Sequence, residues 1–296
     1  MDQTRLNLWK QVFDTDDNSI SKALSHLTWD FAVFSCVVEM VRSAPDEGRG
    51  KRLNGTVMEL LVSGFWTNTM QGIRRLADRG PIAGPYGVCS LAGLIIDAKA
   101  VRHQLTRQVF VEQIAGLEYD YDAVEQRYWS YIRSQPAGEA ILVPRELDSD
   151  PSRMRHELFD WLSGVDAGMR SPNDVIREAV FDSLEARLAQ LNGVVDHAHV
   201  EIAHAATEFS RNGRRLQKWD LSDAKDAIRN LAQVAQLAGE WFCYSTIGTV
   251  LPHPQFDQFA YLDQPLFAGD PAILREIWGG LEHEISDWHD IDPRTL

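Results

Sequence analysis

Residues 196–204 read Asp-His-Ala-His-Val-Glu-Ile-Ala-His and place three histidines and two carboxylates within nine positions. On a helix turning about 100° per residue, His197, Glu201 and His204 share one face, while Asp196 and His199 point elsewhere. An imidazole titrates near neutrality, so such a stripe suits proton transfer or metal ligation. His197-x3-Glu201-x2-His204 offers three ligands, and Glu-x-x-His is the repeated unit of di-iron bundles. The di-iron arrangement needs a second Glu-x-x-His on another helix, which the sequence lacks. Three ligands spread over two turns also converge poorly on one ion. No metal and no cofactor is therefore expected, and a metal-dependent helical bundle ranks last among the functions weighed. A solvated helix flank explains the same ribbon without any chemistry.

The elements that position these groups read as helices. Ile176, Val180, Leu184, Leu188, Leu191, Val195, Ala198, Ile202 and Ala205 recur at three-to-four spacing. They predict one helix of about eight turns opening at Ser171-Pro172-Asn173-Asp174, where a polar cap precedes a proline. Further helices are expected over 19–43 and over 54–79, the latter stopping at Arg79-Gly80-Pro81. Others follow Ser90, span 120–134 and 154–162, start at Asp220 and run towards Thr249, and close the chain at 272–287. No strand alternation and no repeat is visible. The fold class is all-α. A helical domain over 1–250, with an insertion at about 116–170, precedes a Pro-rich arm over 251–296.

Composition narrows the function. The chain has 296 residues and a formal net charge of −14, with 29 basic against 43 acidic side chains. Such a balance disfavours non-specific nucleic-acid binding and leaves only focused basic patches. Three exist in sequence: Arg74, Arg75 and Arg79; Arg102, His103 and Arg107; and Arg211, Arg214, Arg215 and Lys218. No stretch of 18 uninterrupted apolar residues and no secretory leader is present, so a cytoplasmic protein with no membrane partner is expected. Cys36, Cys89 and Cys243 are far apart, which reads as reduced core thiols. Phosphate-loop, nucleophile-elbow and His-Glu-x-x-His signatures are absent.

Ile202-Ala203-His204-Ala205, at the end of the long helix, resembles the late motif of the HEPN superfamily, in particular its abortive-infection-type helical family. Gly72-Ile73-Arg74-Arg75-Leu76-Ala77-Asp78 is similar to that family's Arg-Leu-x-Asp helix end. Ser90-Leu91 and Leu105-Thr106-Arg107-Gln108 are similar to its next helix start and turn. The short matches run from about residue 55 to 210. The resemblance implies an antiparallel helical bundle that pairs as a homodimer, through the helices bearing Arg74 to Asp78 and His197 to His204. It also implies a metal-independent endoribonuclease acting in prokaryotic antiviral or toxin-type RNA targeting. His204 then becomes the acid–base group, with His197 and His199 as auxiliaries. Arg74 and Arg75 become phosphate contacts, and Asp78 orients an arginine or His204. Arg211, Arg214, Arg215 and His197 become RNA-binding residues. Imidazole suits proton transfer at a 2′-hydroxyl, and guanidinium suits the charge developing on phosphorus. The chain departs from the pattern at 198–200, where no Arg or Lys stands and His199 takes the polar place. Glu201 beside His204 would repel a phosphate. The alternative is therefore a non-catalytic interaction or regulatory protein, whose acidic charge suits a basic protein partner.

Overall fold

Six of the described helices start where a short polar side chain takes the first free backbone N–H groups. A computed structural model describes residues 1–44, 54–136, 142–198, 219–258, 260 and 269–286. The helices are α1 (Gln3–Lys10), α2 (Ile20–Ser43), α3 (Gly55–Leu76), α4 (Leu91–Ala100), α5 (Tyr121–Ser134), α6 (Asp150–Ser163), α7 (Glu178–Ala189), α8 (Asn192–His197), α9 (Leu221–Ala238) and α10 (Pro271–Ser286). Asp2, Ser19, Asn54, Ser90, Asp120 and Asp220 cap α1, α2, α3, α4, α5 and α9 through their side chains. At α9 the cap is reciprocal, because Asp223 returns a carboxylate to the backbone N–H of Asp220. Among the described residues there is no strand, only an isolated antiparallel bridge between Thr106 and Val175. The fold is all-α.

The chain divides into two compact units, Met1–Pro252 and His253–Leu296. In the first, α9 lies at the centre and contacts α2, α3, α4 and α7. Its buried stripe of Ala227, Ile228, Leu231, Val234 and Ala238 meets a core that includes Trp9, Phe13, Ile73, Leu94, Phe181 and Phe242. The turn after α9, Gly239–Cys243, closes against α1 and the turn that follows it. Gly239 is required there, since the ring of Phe13 occupies the space a Cβ would take. In the second unit α10 exposes Ile273, Leu274, Ile277, Trp278 and Leu281.

Two buried guanidinium groups tie the middle of the chain to this core. Arg107 is fully buried; its Nε donates to Asp174 at 2.9 Å, and its Nη1 donates to Asp160 at 2.8 Å and to the His156 carbonyl at 3.0 Å. Arg170 donates to the other side of Asp160 at 2.6 Å. Burial pushes the Asp160 carboxyl up, but the bonds from Arg170 and Arg107 outweigh it and hold it below the usual carboxylate range. Arg155 of α6 donates to the carbonyls of Glu240 and Trp241 at 2.7 and 3.2 Å and lies 3.4 Å from the Phe110 ring centroid. Burial pulls its pKa down to about 9. It therefore stays charged at neutral pH.

This cluster corrects two expectations. The Arg102, His103 and Arg107 group is not a surface patch, because Arg107 is enclosed and Arg102 donates to the Ile176 carbonyl at 3.1 Å. The helix expected from Asp174 begins instead at Glu178. The Asp174 carboxylate is held by Arg107, and its carbonyl accepts from the Arg107 N–H at 2.9 Å, so the backbone stays extended past Val175. That helix is also not continuous. α7 ends at Ala189, where the Arg187 carbonyl accepts from both the Gln190 N–H and the Asn230 amide, and α8 starts afresh at Asn192. The helix towards Thr249 stops at Ala238 and gives way to a wide turn.

Arg107→Met leaves the half-buried Asp174 without its cation and removes one of the two arginine partners of Asp160. Unfolding in urea should show a loss of about 3–5 kcal/mol, the cost of breaking a buried ion pair on one side. Arg107→Lys should recover only part of it, because an ammonium lacks the planar fork.

Candidate functional site

α2 and α3 form an antiparallel pair, and two facing stripes at helical spacing line the cleft between them. Ala23, His26, Leu27 and Asp30 come from α2; Asn68, Gln71, Gly72 and Arg75 come from α3. Trp29 and Arg74 stand beside these stripes, and Asp78 and Val88 close one end. The open groove has a volume of about 660 Å³. Gly72 sets the approach of the helices, since a Cβ there would stand 2.7 Å from Leu27 Cδ2. Towards the other end the groove turns apolar. A second hollow of about 260 Å³ shares Trp29, Asp30 and Asn68 and is walled by Val33, Phe34, Val37, Leu60, Leu61 and Phe65. Its floor is the stacked pair Phe34 and Phe65, with ring centroids 4.0 Å apart.

The polar groups of the groove divide into committed and uncommitted ones. Arg75 is committed, because its guanidinium donates to the carbonyl of Asn18. Asp78 is also committed, since it accepts from the Gly80 N–H at 2.7 Å and so fixes the turn after α3. Arg74, Asn68, Gln71 and the Trp29 indole N–H make no hydrogen bond or ion pair among the described residues. His26 stands one turn from Asp30 on α2, and its charge acts on the Asp30 carboxyl. Burial raises the Asp30 carboxyl above the usual carboxylate range, and His26 opposes that rise only in part. A half-buried acid beside an imidazole is an arrangement suited to proton transfer, while Arg74 offers an anion contact against the carboxylates of Asp30 and Asp78.

Of the residues singled out in sequence, the structure brings Arg74, Arg75 and Asp78 together on this groove. Asp78 holds a backbone turn rather than an arginine. His197 ends α8, which packs on α3, but it does not line the groove; its Nδ1 is buried without a hydrogen-bond partner. His199, His204, Arg211, Arg214 and Arg215 lie outside the described residues. Among the described residues no group of three or more His, Cys, Asp or Glu is placed to hold a metal. Cys36 and Cys89 are half-buried, Cys243 is buried, and all three are free.

Sequence reasoning missed His26, Trp29, Asp30, Asn68 and Gln71. The spacing His26-x3-Asp30 is a usable signal, because it places both groups on one helix face. The segment Gln3–Ser43 also contains an 18-residue window with mean hydropathy 1.3, of which 17% is buried. By length and composition alone that window is apolar enough to cross a membrane. No family model, curated protein or solved structure matches the chain.

The raised pKa of Asp30 has a stability consequence. A carboxyl that binds its proton more tightly when folded favours the fold at low pH and loses that contribution as pH rises through its folded value. Asp30→Asn should therefore melt higher than the wild type at pH 7. The advantage should shrink as pH falls through the carboxylate range, which thermal unfolding at a series of pH values reads directly.

Proposed function

We propose that this protein targets RNA in a prokaryotic antiviral or toxin-type setting, as the HEPN resemblance implies, and that the α2–α3 groove takes the RNA backbone. The observation that carries the reading is the meeting of a partner-free guanidinium, Arg74, with His26 and Asp30 on one open groove. Arg74 serves as the phosphate contact, for which paired N–H donors are well matched. Arg75 and Asp78 hold the groove's end in shape. His26 supplies an imidazole in the groove, beside the role the resemblance gives His204. In a metal-independent cleavage, an imidazole takes the proton of the 2′-hydroxyl as that oxygen bonds to phosphorus. The bond from phosphorus to the 5′ oxygen then breaks, and that oxygen takes up a proton.

A short RNA incubated with the chain in EDTA tests both halves. Arg74→Ala should weaken binding about tenfold to a hundredfold, the range of hydrogen bonds made by a charged group. His26→Ala should retain binding and lose cleavage. Cleavage undiminished in both His26→Ala and His204→Ala removes the acid–base assignments, and an RNA that the wild type never binds removes the reading.

A second reading, an interaction or regulatory protein without turnover, is favoured by one feature. The far ends of α2 and α3 expose Val33, Met40, Val57, Leu60, Leu61 and Val62, and Leu60 is 70% accessible. Contiguous exposed apolar side chains mark contact surfaces. Under the first reading α3 is the homodimer contact, and the same face serves it. Leu60→Glu should then convert a dimer into a monomer in sedimentation, with helix content unchanged. Under the second reading the wild type is already monomeric and retains a basic protein partner that Leu60→Glu releases.

A further inference from the structure

We propose that α5 is a flap docked on α6 through His156, closed at neutral pH and released in mild acid when that imidazole takes a second proton. The proposal stands apart from the RNA reading, since none of its groups lines the α2–α3 groove. Of the side chains of α5, Val124 alone is buried, so polar contacts at the start of the helix carry much of the docking. The Ser152 hydroxyl donates to the Glu118 carbonyl at 2.6 Å, and His156 Nε2 donates to the Tyr119 carbonyl at 2.9 Å. Arg170 donates to the Tyr121 hydroxyl at 3.1 Å. Farther along, Arg153 reaches Glu125 at 3.5 Å and lies 5.9 Å from the Tyr121 ring centroid.

His156 is the member of this set whose charge changes in mild acid. It is 2% exposed, and its ring meets those of Tyr119 and Tyr121 edge-on, with centroids 4.6 and 5.4 Å away. Because Nε2 faces a carbonyl, that nitrogen carries the proton of the neutral ring and Nδ1 is bare. Nδ1 is buried and has no hydrogen-bond partner among the described residues. A second proton would therefore be a buried N–H without an acceptor, on a cation without water. The charges facing the ring do not rescue it. Arg107 donates to the carbonyl of His156 itself at 3.0 Å and Arg170 stands at the Tyr121 end, so both repel a cation there. Asp160 attracts one, but its carboxylate is already divided between those two arginines. Of the other neighbours, Arg153 lies over Tyr121, while Glu112 and Asp174 act on the Tyr119 side. Burial first, then Arg107 and Arg170, holds the imidazole below its ordinary range against the pull of the Tyr119 carbonyl and Asp160. Undocking the flap gives the ring water, and with it the second proton. Such a group favours the docked state above the ordinary imidazole value of about 6.5 and weakens it as pH falls below. Each pH unit between the free and the docked value shifts the balance towards the open flap by up to about tenfold. α6 itself stays in place, because Asp160 remains ionised against both arginines and Arg155 holds the other side of the helix.

Amide hydrogen exchange of the full chain is followed from about pH 7.5 to 5, with each rate divided by its intrinsic value at that pH. Peptides covering residues 117–134 should lose protection progressively below about pH 6.5, while those of α9 keep theirs. His156→Gln keeps a neutral N–H donor, and His156→Phe keeps an aromatic ring without one; both should flatten the pH dependence. Tyr121→Phe, which removes only the bond from Arg170, should loosen the flap at every pH and leave the slope intact. Circular dichroism checks the helix content of each variant. The assigned imidazole signal of the wild type, followed by NMR, reads the titration of His156 directly and decides the case if neither variant folds. A His156 that titrates at or above the ordinary value overturns the proposal. So does a flap whose protection falls with acid as steeply in His156→Gln and His156→Phe as in the wild type. Loss of protection in α9 together with α5 overturns it too, since acid then unfolds the whole unit rather than one helix.

Discussion

The fold hangs on a charge taken out of water. Arg107 sits between Asp160 of α6 and Asp174 of the segment before α7, and every bond it makes crosses at least 49 residues of sequence. An isolated buried guanidinium would cost many kcal/mol, so it is tolerated only where carboxylates and carbonyls converge with good geometry. Convergence of that kind fixes the position of three segments at once. It also fixes the backbone: the extended stretch at Val175 and the delayed start of α7 follow from holding both the carboxylate and the carbonyl of Asp174. Arg155 does the same on the other side of α6, closing the carbonyls that the turn after α9 leaves open. With α6 held at both guanidinium groups, Phe159 packs against Phe110 with ring centroids 4.9 Å apart.

The α2–α3 pair is built on a different principle. Its inner halves bury Leu24, Leu27, Met70, Ile73 and Leu76 against the central helix, while its outer halves keep large apolar side chains in water. Between those regimes lies the groove, where polar groups outnumber their internal partners. A chain that satisfies Arg107, Arg155 and Arg170 so completely elsewhere leaves Arg74, Asn68 and Gln71 without partners, and raises the acid of Asp30 by half-burying it. Asn68 and Gln71 are exposed, so water takes the bonds that no internal partner makes. At Gly72 the two walls come close, since the Leu27 side chain occupies the space a Cβ would take.

What the sequence made legible follows from the range of the forces involved. Caps act over three residues, so Asn54, Ser90, Asp120 and Asp220 announced the starts of their helices correctly. Asp174 has the same local chemistry, yet its carboxylate was taken by a residue 67 positions away, and no local pattern records that. The break between α7 and α8 was hidden for the same reason, because the apolar spacing runs unbroken while Asn230 takes the carbonyl of Arg187. In the site, Arg74 and Arg75 stood out as a pair of cations at a helix end. His26 and Asp30 do not, because the apolar period of α2 marks its buried face and says nothing of what stands opposite its polar one. Only the packing of α3 against α2 turns that face into the wall of a groove.

The acidic balance of the chain bears on how such a groove discriminates. At physiological salt a charge is felt over about 8 Å, so a net charge of −14 repels a polyanion at a distance while Arg74 attracts it only at contact. A broad phosphate-neutralising surface is therefore disfavoured by the charge balance of the chain. On the proposed reading, affinity has to come from short-ranged contacts inside the groove, where Arg74 works against the carboxylates of Asp30 and Asp78.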